Sequence, residues 1–83
     1  MKPRLKQSLL LILHAADGVP MPEPALFEAV RIHARPLQPT DGDTADALKE
    51  LEAAGYAAGA SDDIEGRTWT LTLKGRHKAR QLR

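Results

Sequence analysis

The spacing of apolar residues in this chain changes at Gly55, and that change limits the folds open to it. In three segments before Gly55, apolar residues recur every three or four positions, as in helices with one buried face. Residues 56–71 alternate as strands do, and helical spacing returns from residue 73 onward. A chain of 83 residues with this pattern is expected to form a single α+β domain over residues 1–83.

The first helix is predicted over residues 3–16. Its apolar positions lie at offsets of 0, 4, 7, 8 and 11 from Leu5, which places them on one face. Leu10 and Leu11 fall off that face. Either a second element covers the helix from another side, or these two leucines meet another chain.

Two further helices are predicted before Gly55. One covers residues 23–34 and is expected to end before Pro36. The other covers residues 43–54 and ends at Gly55, the residue best able to adopt a left-handed backbone. The candidate caps of this third helix are Thr40, Asp41 and Asp43. Its predicted inward face consists of Thr44, Ala47, Leu48, Leu51 and Ala54.

The strand-like part of the chain predicts a hairpin followed by a last helix. Residues 56–60 form a weak strand and residues 67–71 a better one, with a polar turn between them. Trp69 is expected in the core, and Thr72 is expected to cap the last helix. The alternation of Val19 and Met21, beside two prolines, is compatible with a short edge strand.

Charge is distributed very unevenly, although the net charge is only +1. Residues 1–38 sum to +2, residues 39–66 to −7 and residues 67–83 to +6. A basic tail of this kind favours contact with phosphate groups, whereas an acidic middle segment disfavours it. A solvated bipolar surface is the alternative interpretation.

Two stretches carry a resemblance to known proteins. Residues 47–56 read ALKELEAAGY, similar to an L-x-x-L-E-x-x-G-(Y/L) pattern, and residues 69–76 read WTLTLKGR, similar to Y-x-L-T-x-x-G. Both patterns resemble those of bacterial winged-helix regulators of the PadR, MarR and ArsR type. The resemblance implies a winged helix-turn-helix fold with a three-helix core, a two-stranded wing and a C-terminal helix. The chain also has the size of small winged-helix proteins encoded in prophages.

The same resemblance implies a DNA-binding transcription regulator. In such proteins the third helix enters the major groove of double-stranded DNA and the wing lies on the backbone. Two DNA contacts are expected on the third helix, and phosphate contacts are expected from the wing and the last helix. These candidates are Thr44, Lys49, Arg67, Lys74, Arg76, Lys78 and Arg80.

The acidity of the third helix keeps a different function open. Asp43, Asp46 and Glu50 fall on its predicted exposed face, where carboxylates near phosphate are unfavourable. The alternative is a protein-interaction or homodimerisation module that does not bind DNA. Its candidate contact residues are Leu10, Leu11, Asp46 and Glu50.

Catalysis, cofactor binding and membrane insertion find no support in the sequence. No nucleophile motif or glycine-rich phosphate loop occurs, and the three histidines lack metal-ligand spacing. Without cysteine, disulfides and thiolate zinc sites are excluded. The apolar run over residues 9–13 is too short for a signal peptide or a membrane span. We therefore expect a cytoplasmic non-enzyme with no cofactor, metal or small-molecule ligand.

Overall fold

The computed structural model describes residues 3–33, 39–64 and 66–82. Within them the elements are α1 (Pro3–Ala15), β1 (Met21–Pro22), α2 (Glu23–His33), α3 (Asp41–Ala53), β2 (Ala57–Asp62), β3 (Gly66–Leu71) and α4 (Leu73–Leu82). The strands form an antiparallel sheet in the order β1-β3-β2. This is the α+β winged helix-turn-helix fold predicted from the sequence, with the β2–β3 hairpin as its wing. The predicted end of the second helix at Pro36 lies outside the described residues.

Local sequence signals set the ends of α1 and α3. The chain leaves α1 through Asp17 and Gly18, at φ of 52° and 84°, and leaves α3 through Gly55, also at 84°. At the start of α3, Thr40 Oγ1 accepts a hydrogen bond from the Asp43 backbone NH at 3.0 Å, and Asp43 Oδ2 accepts one from the Thr40 NH at 3.2 Å. Because this reciprocal capping box satisfies the first turn, α3 begins two residues earlier than predicted.

Trp69 anchors the sheet at its centre. It lies on β3 between Met21 of β1 and Gly59 of β2, and it is 1% exposed. Its indole Nε1 donates a hydrogen bond to Glu23 Oε1 at 3.1 Å, so the polar atom of this buried ring is satisfied. The predicted core position of Trp69 is confirmed, and it joins the sheet to the start of α2.

The position of Leu10 decides between the two alternatives that the sequence left open for α1. Leu10 is 3% exposed and belongs to the same core as Leu5, Leu9 and Leu13. α1 packs against α2, α3, α4 and β3, so its buried surface is wider than one helical stripe. Of the two alternatives that the sequence left open, coverage of the helix from another side is therefore the one that holds for Leu10. Leu11 is only half-buried.

Gly75 lies where α4 packs against Tyr56, the residue before β2. A Cβ atom at this position would overlap the backbone carbonyl of Tyr56. Gly75 is the glycine of the second motif, and Tyr56 ends the first motif. The two motifs therefore meet in space, and the glycine permits their close approach.

Thr72 caps α4 as predicted, and it also ties the helix to the end of α3. Its Oγ1 accepts a hydrogen bond from the Gly75 NH at 3.0 Å and donates one to the Gly55 carbonyl at 2.6 Å. We expect Thr72→Ala to lower the free energy of unfolding by about 0.5–2 kcal/mol, because both bonds are lost. Urea denaturation checks this, with Thr72→Ser as the control that keeps the hydroxyl. Equal losses in both variants would contradict the capping role.

Among residues 3–33, 39–64 and 66–82, no helix is long and apolar enough to cross a membrane. The same residues contain no group of three or more His, Cys, Asp or Glu side chains placed to hold a metal ion.

Candidate nucleic-acid interface

Most of the carboxylates on α3 have partners within the chain. Asp43 belongs to the capping box, and three others form ion pairs with cations on three different elements. These pairs are Lys6–Glu50 at 3.0 Å, Arg31–Asp41 at 2.7 Å and Arg67–Glu52 at 3.3 Å. The ion pairs therefore connect α3 to α1, α2 and β3. An exposed pair contributes only about 0–1 kcal/mol to stability, but each one neutralises a charge beside the helix.

The side of α3 opposite its buried face carries a narrow stripe of exposed residues. We call this stripe the crest of α3; it consists of Gly42, Asp46, Lys49 and Ala53. Both ends of the crest carry small side chains, because they are glycine and alanine. In the part of the chain that the structure describes, the side chains of Asp46 and Lys49 make no hydrogen bond or ion pair. Of the α3 carboxylates, Asp46 alone lacks a partner among these residues.

Arg67 lies near the turn of the wing, opposite Ser61, and is already engaged. Its guanidinium stacks over the Trp69 ring at 4.8 Å and pairs with Glu52. The other oxygen of Glu52 accepts a hydrogen bond from the Gly59 NH at 3.3 Å. Arg67 and Glu52 thus hold the wing against the end of α3, a role that the sequence pattern did not reveal.

Lys74 caps the carboxyl end of α3. Its Nζ donates a hydrogen bond to the Ala54 carbonyl at 2.8 Å and lies 4.8 Å from the centre of the Tyr56 ring. A cation is favourable at this end of a helix because the last carbonyl groups carry partial negative charge. Lys74 therefore has a structural partner, although its side chain remains exposed.

Arg76 lies against the turn that ends α1. A Cβ atom at Gly18 would come within 2.8 Å of Arg76 Nη2, so the guanidinium covers that glycine closely. Arg76 is half-buried as a result. Its side chain is committed to the contact between α4 and the end of α1.

Lys78 and Arg80 are exposed, and their side chains form no hydrogen bond or ion pair within the described ranges. A spacing of four residues puts Lys78 on the same flank of α4 as Lys74, and Arg80 on the same flank as Arg76. The basic side chains of α4 are thus divided between two flanks. Lys2 and Arg83 add further basic residues near the two ends of the sequence, but both lie outside the described residues.

Three other residues proposed from the sequence are not free surface groups. Thr44 is 2% exposed, and its hydroxyl donates a hydrogen bond to the Thr40 carbonyl at 3.2 Å. The sequence placed Thr44 both on the inward face of the helix and among the DNA contacts. Its burial confirms the inward position and excludes the DNA contact. The buried position of Leu10 likewise excludes it from a self-association surface. Glu50 is paired with Lys6. Leu11 lines an open cleft on α1, together with His14, Ala15 and Asp17.

A solved structure shares this fold over nearly the whole chain. It is the crystal structure of a candidate DNA-binding protein from Ralstonia eutropha JMP134, with 22% sequence identity and a TM-score of 0.68. The likeness covers 99% of this chain and 96% of that chain. No protein-family model matches the sequence, and no curated protein matches it either.

Proposed function

We propose that this chain is a small winged-helix regulator that binds double-stranded DNA, similar in type to the PadR, MarR and ArsR regulators. The observation that carries the proposal is a difference between the carboxylates of α3 and the cations of α4. The acid of α3 is largely neutralised within the chain, whereas Lys78 and Arg80 on α4 are free to contact phosphate.

The acidity of α3 is a weaker obstacle to DNA binding than the sequence implies. Glu50 and Glu52 each lie beside a cation, so their fields at the helix surface are reduced. The crest itself carries one negative charge, on Asp46, and one positive charge, on Lys49. A neutral crest with small residues at its ends is compatible with close approach to a DNA groove.

The phosphate contacts are assigned to cations that have no other partner. Lys78 and Arg80 on α4 meet this condition within the described residues. Arg67, Lys74 and Arg76 are not assigned phosphate contacts, because their side chains already stabilise the fold and Arg67 offsets the charge of Glu52. Contacts of this kind bind DNA with little sequence preference and depend steeply on salt.

The neighbouring fold adds support from a separate direction. The candidate DNA-binding protein from Ralstonia eutropha has the same architecture over nearly its whole length. A protein-interaction or homodimerisation module is the less supported alternative. Of its four candidate contacts, Leu10 is buried and Glu50 is ion-paired.

Fluorescence anisotropy with a labelled random-sequence duplex tests the proposal. We expect the wild-type protein to bind at low salt and to weaken steeply as salt rises, with a dissociation constant of about 10⁻⁴–10⁻⁶ M at physiological salt. Lys78→Ala/Arg80→Ala is expected to bind more weakly and to lower the slope of log K against log salt by about 1 for each lost phosphate contact.

The control exchanges the two cations without changing the charge. Lys78→Arg/Arg80→Lys is expected to keep most of the affinity, because phosphate contact needs a positive charge more than a particular side chain. The absence of binding to any duplex at low salt would refute the proposed function. Unchanged binding by the alanine variant would refute the assignment of these two residues.

A further inference from the structure

Asp46 differs from every other carboxylate on α3. Asp41, Asp43, Glu50 and Glu52 lie toward the edges of the helix and each has a partner in the chain. Asp46 is exposed, and its carboxylate makes no hydrogen bond or ion pair with the described residues. It is also too far along α3 for the backbone NH groups of the first turn to bond its side chain.

The position of Asp46 on the crest determines what it meets when α3 approaches DNA. The crest lies opposite the buried face, so its side chains point to the floor of the groove that the helix enters. Phosphates form the walls of the major groove, which is about 12 Å wide, and base edges form its floor. The paired carboxylates at the edges of α3 would face the walls with their charges already neutralised.

A carboxylate accepts hydrogen bonds and cannot donate them, which restricts the bases it can recognise. The N4 amino group of cytosine is a donor in the major groove, and Asp or Glu accepts from it. The N6 amino group of adenine is also a donor, but the neighbouring N7 acceptor repels a carboxylate. Guanine presents acceptors alone, so Asp46 selects against it.

Lys49 supplies the complementary chemistry one turn along the same crest. Its ammonium group donates hydrogen bonds, and guanine O6 and N7 are the acceptors that Lys commonly contacts. A separation of three residues along a helix corresponds to a rise of about 4.5 Å. This is close to the axial spacing of about 3.4 Å between successive bases in a strand. The two side chains can therefore address neighbouring base pairs.

We infer that the crest of α3 reads G·C base pairs in the major groove, with Asp46 accepting from cytosine N4 and Lys49 donating to guanine O6 and N7. The inference rests on the proposed function and adds the class of DNA sequence that the protein prefers. Gly42 and Ala53 allow the approach, because neither end of the crest carries a long side chain. Lys78 and Arg80 supply binding that does not depend on sequence.

Selection from duplexes with a randomised core, followed by sequencing of the bound fraction, tests this inference. The wild-type protein is expected to enrich cytosine at one position and guanine beside it. Replacing either base pair by A·T is then expected to weaken binding about tenfold in a direct titration. Asp46→Asn is expected to change the cytosine preference to adenine, because an amide can both accept from N6 and donate to N7.

Two further variants separate base recognition from charge. Lys49→Gln is expected to move the guanine preference toward adenine at its own position only. Asp63→Asn makes the same charge change at an exposed carboxylate in the turn of the wing, and it is expected to leave both preferences intact.

The outcomes distinguish the inference from the function on which it rests. Binding of random duplexes without base preference overturns the inference and leaves DNA binding standing. A cytosine preference that survives in Asp46→Asn also overturns it. Failure to bind any duplex at low salt, in the anisotropy experiment, overturns both.

Discussion

Leu10→Ala is expected to lower the free energy of unfolding by about 2–5 kcal/mol, because the substitution leaves a cavity in the core. Leu10 is 3% exposed and packs with the other leucines of α1. The neighbouring variant Leu11→Ala is the matched control. Leu11 is half-buried beside an open cleft, so its loss is expected to cost about 1 kcal/mol or less.

Urea denaturation followed by the fluorescence of Trp69, the one tryptophan in the sequence, measures both variants. If Leu10→Ala is too unstable to give a folded baseline, Leu10→Met provides a milder substitution, expected to cost less than about 1.5 kcal/mol. Similar losses for Leu10→Ala and Leu11→Ala would contradict the buried position of Leu10. They would favour the other alternative from the sequence, in which both leucines meet another chain.

Gly75→Ala is expected to destabilise the protein by about 1–3 kcal/mol, the usual cost of forcing an added methyl group into a packed region. The direction is informative, since replacing glycine by alanine inside a helix ordinarily gains about 1 kcal/mol. Here the added Cβ would overlap the Tyr56 carbonyl, and a backbone group cannot rotate aside as a flexible side chain can. α4 would have to move away from Tyr56, the residue before β2.

Gly42→Ala is the matched control for Gly75→Ala. Gly42 also lies in a helix, but a Cβ there would meet Thr40 Oγ1 at 3.7 Å, an ordinary contact distance. We expect this variant to be neutral or more stable by up to about 1 kcal/mol in the same urea experiment. A gain in stability for both variants would show that α4 does not pack as closely on Tyr56 as described.

The order of elements was predictable because its signals are local. Thr72 caps α4, Gly55 follows α3 with a positive φ, and Trp69 is buried on an alternating strand. Each of these depends on a few adjacent residues, whose conformational preferences act within one turn or strand. The capping box at Thr40 was less clear, because three neighbouring residues could each have capped α3.

The candidate interface was less predictable because it depends on contacts between distant residues. Glu50 pairs with Lys6, and Glu52 pairs with Arg67, across separations that no sequence pattern records. From sequence these carboxylates therefore looked like a free acidic face. The burial of Leu10 was left open by the sequence for a related reason, since it depends on how many elements surround α1.

The basic tail shows the same limit in another form. The spacing of Arg76 and Arg80, and of Lys74 and Lys78, was visible in the sequence, and it divides them between two flanks. What each flank meets became apparent only in the structure, where Lys74 caps α3 and Arg76 covers Gly18. Two of the four α4 cations expected to bind DNA thus have partners of their own.

The central strand of the sheet comes late in the chain, and this affects how the protein forms during synthesis. β1 pairs with β3 through Met21 and Trp69, so β1 has no partner strand until residue 69 has emerged from the ribosome. Helices α1, α2 and α3 precede β3 in the chain, so Trp69, which belongs to the same core, is synthesised after them. The long-range contacts between β1 and β3 can therefore form only after β3 has been synthesised.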